Sequence, residues 1–161
     1  NIRMHANTTA GLLLRHRTTT NGMESVQRVP SVHSSELKTQ GEIEAQVSDV
    51  LRRYSLEYFG RGPQDVHAHL IGDLVLVRMS GVLTVAEQHL AATTAVHGEL
   101  LVKQVRSQMV ELARKELDAA IRSCTLVNVI SLHHDISTVT GEEIMVFTLD
   151  GIPATRPTKR K

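Results

Sequence analysis

Residues 66–80 hold two runs rich in alternating apolar residues, Val66–Ile71 and Leu74–Ser80, separated only by Gly72-Asp73. Two residues of this kind join strands as a tight antiparallel hairpin, because a parallel partner needs a crossover of a dozen or more residues. The hairpin fixes a β element near the middle of the chain, and the rest of the sequence has to cover it. Leu74, Leu76 and Arg78 alternate with Val75, Val77 and Met79. Such a strand is expected to be buried on both faces, or to bury one face and offer the other to a partner.

Helical patterns flank the hairpin. Ile43, Val47, Val50, Leu51, Tyr54 and Tyr58 form one apolar stripe on a helix over 42–58. Gly60-Arg61-Gly62-Pro63 then stops it, glycine supplying a left-handed cap and proline lacking the amide needed to continue. Thr84-Val85-Ala86-Glu87 has the spacing of a capping box and predicts a short helix over 85–93. Gly98 marks a break before a long helix over 99–122, whose stripe runs through Val102, Val105, Met109, Leu112, Glu116 and Ala120, with Leu101, Leu117 and Ile121 beside it. A second strand pair, 126–137 and 143–149, is joined through Thr138–Gly141. The order α-β-β-α-β-β predicts an α+β fold, a four-stranded, largely antiparallel sheet with helices packed on one face.

Charge divides the chain in three. Residues 1–40 carry five basic and two acidic side chains, 41–150 nine basic and fifteen acidic, and 151–161 four basic and none acidic. The sequence therefore reads as a weakly ordered basic N-terminal segment (1–40), a single acidic domain (41–150) and a basic tail (151–161). Met23 is a candidate true start within the first segment. An acidic body repels phosphates and only four aromatic residues are available for stacking, so nucleic acid is not the expected partner. Contact through the basic ends is the weaker reading. A single cysteine, Cys124, excludes a disulfide framework. No apolar run approaches the roughly 20 residues of a membrane span, and the expected location is cytoplasmic.

Few residues suggest chemistry. His67 and His69 share one strand face, as do His133 and Asp135 on another. If the two strands are neighbours, the four could surround a divalent ion; otherwise they are ordinary strand histidines. Gly60–Pro63 resembles an anion loop in composition, with Arg61 and Gly62 as contacts, but it follows a helix where a phosphate loop precedes one. Arg78, inside an apolar strand, needs Asp135 or Glu87 as a partner if buried. Cys124 has no nucleophile signature around it.

Taken together, Gly41–Glu44, Tyr58–Pro63, Val77–Glu87, Val102–Arg106, Ser131–Glu142 and Val146–Leu149 resemble the MpsC family of small bacterial proteins, formerly a domain of unknown function and named for a sodium-translocating, membrane-potential-generating system. The likeness covers about 41–150 and includes Arg61, Gly62, Arg78, Arg106, His133 and Asp135, which become the candidate ligand or partner site. It implies a non-enzymatic accessory or regulatory protein without cofactor. Such a protein would work through protein contacts with a membrane system linked to ion or bicarbonate transport, lying peripheral to the membrane through that partner. Open sheet edges and a half-exposed long helix favour a homodimer. The alternative is a small-anion or metal-binding sensor or enzyme using His67, His69, His133 and Asp135 with Arg61 and Arg78.

Overall fold

The computed structural model describes residues 37–93 and 97–157, which lie within the unit spanning Val32–Lys161. The proposed start at Met23 and nearly all of the segment 1–40 fall outside the described residues. The elements are α1 (Gln40–Phe59), β1 (Asp65–Ile71), β2 (Leu74–Ser80), α2 (Val85–Ala91), α3 (Gly98–Leu112), α4 (Arg114–Thr125), β3 (Val129–Ser137) and β4 (Glu142–Leu149). The four strands form one antiparallel sheet in the order β1-β2-β4-β3, which is the expected α+β architecture.

Alternation decides the two faces of this sheet. Val66 and Ala68, then Val75, Val77 and Met79, then Met145, Phe147 and Leu149, and finally Ile136 all point inward and are buried. They meet Ile43, Val47, Leu51 and Tyr54 of α1, Val102 and Val110 of α3, and Leu117 and Ile121 of α4. The opposite residues, among them His67, His69, Leu76, Arg78, Ile144, Val146, His133 and Asp135, point away from these helices. Among the described residues, no helix covers that second face.

Local chemistry sets the helix ends. Gly60 caps α1 at φ 68°, a conformation that costs glycine little. The Thr84–Glu87 capping box opens α2 as its spacing predicts. A second box, Thr39–Glu42, opens α1 two residues before the expected start. Each box is worth about 1 kcal/mol. Lys38 and Arg156 extend the ordered region past both expected boundaries: the Arg156 amide donates to the Lys38 carbonyl (3.0 Å) and its guanidinium to Glu42 (2.7 Å). Arg156 is therefore tied to the start of α1.

The expected single helix over 99–122 is two helices. Ala113, fully buried at φ −87°, ψ 4°, ends α3 and begins α4. No glycine or proline marks the break. It lets α3 follow α2 and β3 while α4 lies along α1. The expected stripe is also rotated. Val102, Arg106, Val110, Leu117 and Ile121 are buried, whereas Val105 and Leu112 are 55% and 70% exposed. A pattern search that counts only apolar residues skips Arg106, and so selects the wrong side. No helix among the described residues is long and apolar enough to cross a membrane.

Gly98 sets how closely α2 and α3 approach. A Cβ there would lie 1.7 Å from the Leu90 carbonyl oxygen. Gly98→Ala is expected to lose more than about 2 kcal/mol of stability in chemical denaturation, because backbone, not a flexible side chain, must yield. An unchanged midpoint would contradict this packing.

Candidate functional site

β4 carries a carboxylate where the core expects an apolar residue. Glu143 points inward with Met145, Phe147 and Leu149, paired in register with Met79 on one side and Ile136 on the other, and is 1% exposed. A buried carboxylate without a partner would be strongly unfavourable. Arg106, itself 0% exposed, descends from α3 to answer it, Nη1 donating to Glu143 Oε2 at 2.9 Å. Nε and Nη2 of the same guanidinium grip both oxygens of Glu87 at 2.8 and 3.0 Å. Nη2 also donates to the Val82 carbonyl at 2.7 Å. The Phe59 ring lies 4.2 Å from the guanidinium carbon, a cation–π contact. The other Glu143 oxygen accepts from His134 Nε2 at 2.7 Å.

The network joins five elements. Glu87 belongs at once to the α2 capping box and to Arg106: its carboxylate accepts from the Thr84 amide at 2.7 Å. Burial opposes the charge on Glu87, yet Arg106 and the Thr84 amide outweigh it and hold the carboxyl below its ordinary range. Nearby, the Tyr54 hydroxyl is buried without a hydrogen-bond partner. Burial first, and then the charge of Glu143, push its ionisation far up.

The other candidate residues are dispersed. Arg78 is exposed rather than buried, and its partner is Glu142, to which Nε donates at 2.6 Å. The suggested partners are taken: Asp135 accepts from Lys103 at 2.8 Å, and this contact, more than any other, lowers its ionisation, while Glu87 holds Arg106. His67 pairs with Asp65 at 3.0 Å. His67 and His69 lie on β1 while His133 and Asp135 lie on β3, the two outer strands of the sheet. Three strand spacings, about 14 Å, separate them, so they cannot share one ion within the chain. Among the described residues no group of three or more His, Cys, Asp or Glu could hold a metal. This corrects the metal reading, which required neighbouring strands.

Arg61 and Gly62 follow the Gly60 cap of α1. Arg61 Nη1 reaches the Leu83 carbonyl at 3.3 Å and its own carbonyl accepts from Ser55 Oγ at 3.0 Å. Arg61 also lines an open cleft of about 740 Å³ with Gln64, Gln88, Glu99 and the Thr138–Gly141 turn. The cleft is separate from the buried network, which has no solvent-facing guanidinium to offer a ligand.

Sequence reasoning selected Arg106 but not Glu143 or His134. A signal existed for Glu143, which falls on the inward phase of β4 with three buried apolar residues. His134 shares its inward phase with Ile136. Both were legible once strand phase was read against charge.

A family model described as "Na+-translocating membrane potential-generating system (MpsC)" matches residues 39–151. Among curated proteins, uncharacterized protein YbcI of Bacillus subtilis (strain 168) is 36% identical over 112 residues, covering 70% of this chain and 89% of the relative. Uncharacterized protein YrhF of the same organism is 24% identical over 104 residues, covering 64% and 84%. No solved structure matches the chain.

Two substitutions separate the terms of the network. Arg106→Leu leaves Glu143 buried with only its His134 hydrogen bond and is expected to cost about 3–5 kcal/mol in urea denaturation. Tyr54→Phe removes only an unpaired hydroxyl and is expected to be neutral or stabilising by up to about 1 kcal/mol. The pH dependence follows from Glu87. Its carboxyl is lowered on folding from the ordinary 4.5, so its contribution is present above that value and fades as pH falls through the folded-state value. Glu87→Gln is expected to lose less stability than wild type on acidification below about 4.5; equal losses would remove Glu87 from this role.

Proposed function

The chain belongs to the MpsC family, and from that premise we propose that it is a non-enzymatic accessory protein that works through protein contacts with a membrane system of the kind the family name describes. One observation carries the reading. α3 has two stripes. The inner one, Val102, Arg106 and Val110, is spent on the core. The outer one holds Leu101, Val105 and Leu112, which are 41%, 55% and 70% exposed. Residues at i, i+4 and i+11 lie on one side of a helix. Large apolar side chains aligned there gain nothing from water, and they have the spacing by which a helix enters an apolar groove.

The arrangement of charge supports a contact role over a catalytic one. Arg106 is fully occupied by Glu87, Glu143, Val82 and Phe59. Its net effect is to fix α3 against β4 and α2, and thereby to hold the outer stripe rigid. Arg78 and Asp135 sit in ion pairs of their own on the sheet. A rigid helix presenting a fixed apolar row binds with less ordering cost than a mobile one.

The test uses inverted membrane vesicles from a bacterium that carries an MpsC-type system. The full chain is expected to sediment with the vesicles, and to stop doing so once protease has shaved the proteins from their surface. Val105→Lys and Leu112→Lys, both at exposed positions, are expected to weaken sedimentation at least tenfold with unchanged thermal midpoints. Binding that survives shaving, or both substitutions, overturns the proposal.

A further inference from the structure

The uncovered face of the sheet has an ordered composition. Its centre, on β2 and β4, is Leu74, Leu76, Ile144 and Val146; Ile144 is 38% exposed, and Ile71 on β1 is 56% exposed. Around that centre lie the pairs His67–Asp65, Arg78–Glu142 and Lys103–Asp135. An apolar centre with a polar rim is the anatomy of a protein interface.

Register gives the rows across this face. One is His67, Arg78, Ile144, Asp135, and the next is His69, Leu76, Val146, His133. The two halves differ in character. The β1–β2 half carries Arg78, Asp65, His67 and His69, while the β4–β3 half carries Glu142, Asp135 and His133, and so is the more acidic of the two. We propose that this face stacks on the same face of a second copy of the chain, about a two-fold axis running parallel to the strands between β2 and β4.

That axis places each half on the other. His67 comes over Asp135 of the partner subunit, His69 over His133 of the partner subunit, and Leu76 over Val146 of the partner subunit. A two-fold across the strands would instead set β1 on β1 and β3 on β3, like on like. Isologous contact of this kind closes as a dimer and leaves no open surface for growth. Sheets stacked face to face lie about 10 Å apart with strands nearly aligned, a gap that side chains of this size fill from both sides. It also gives the histidine strands the proximity that the single chain denies them.

The size of the face sets the expected strength. Four strands about 4.8 Å apart, each contributing about seven residues at about 3.3 Å, give a footprint of about 440 Å². A standard interface buries about 800 Å² of accessible surface on each partner. The footprint is modest, and the expected contact is a reversible dimer. The surface is distinct from the α3 stripe, so a dimer leaves that stripe free for another protein.

Sedimentation velocity of the full chain between about 1 and 100 μM, with the two single variants Leu76→Lys and Val146→Lys, tests the contact. Both side chains point away from the core, so thermal midpoints should hold while the dimer constant weakens at least tenfold. Leu112→Lys on α3 should leave it unchanged. Orientation is read with a bifunctional thiol reagent long enough to span the gap between the sheets: His69→Cys and His133→Cys chains, when mixed, should form the mixed cross-link in preference to either like-with-like product. Preferential like-with-like linkage overturns the axis. A monomer throughout the range, or a dimer that survives both lysine substitutions, overturns the surface. A monomer that becomes a dimer only when residues 1–36 are removed also overturns it, assigning the face to that segment.

Discussion

A guanidinium with no exposed surface must have its charge answered, and the way Arg106 is answered ties this fold together. Its partners come from α2, from the loop at Val82 and from the start of β4, with the end of α1 stacked above it. Each contact crosses a boundary that apolar packing alone would leave free to slide. Buried ion pairs contribute little net stability over well-packed apolar residues, because desolvation offsets most of the attraction. Their geometry is what is demanding. A bidentate grip on Glu87 and a separate bond to Glu143 are compatible with one rotation and one depth of α3, so the network selects the position of that helix.

The rest of the architecture follows from that position. With Arg106 inward, Leu101, Val105 and Leu112 must turn outward. With α3 held over β4 and β3, the break at Ala113 lets α4 lie along α1. The helices are thus gathered on one side of the sheet, and the other side keeps its own pattern of apolar centre and paired charges. Both candidate contact surfaces are consequences of where the helices are fixed, which is why a structural arginine bears on function without touching a ligand.

Much of this was legible in the residues. The Gly72-Asp73 hairpin, the Gly60 cap and the Thr84–Glu87 box are local features whose chemistry is complete within a few residues, and each appears where its spacing puts it. The likeness to the MpsC family rests on the order of such features and agrees with the family model over 39–151. Where the structure departs from these patterns, the deciding contact is not local. No residue near 113 opposes a helix, so the pattern over 99–122 is continuous in sequence, and an apolar count leaves Arg106 off the buried side because an arginine does not count as apolar. Arg78 needs Asp135 or Glu87 only if it is buried, and strand phase instead turns it out to Glu142.

Sequence by itself determined the two strand pairs, the capped helix ends and the order of these elements, because hairpins and caps are set by bonds and sterics between near neighbours. Only the tertiary structure decided that the strands are ordered β1-β2-β4-β3, that Arg106 and Glu143 belong to one buried pair, and that His67 and His69 stand at the opposite edge from His133 and Asp135. Those facts depend on contacts between residues dozens of positions apart. They become fixed only when burial makes an unanswered charge more costly than any local preference.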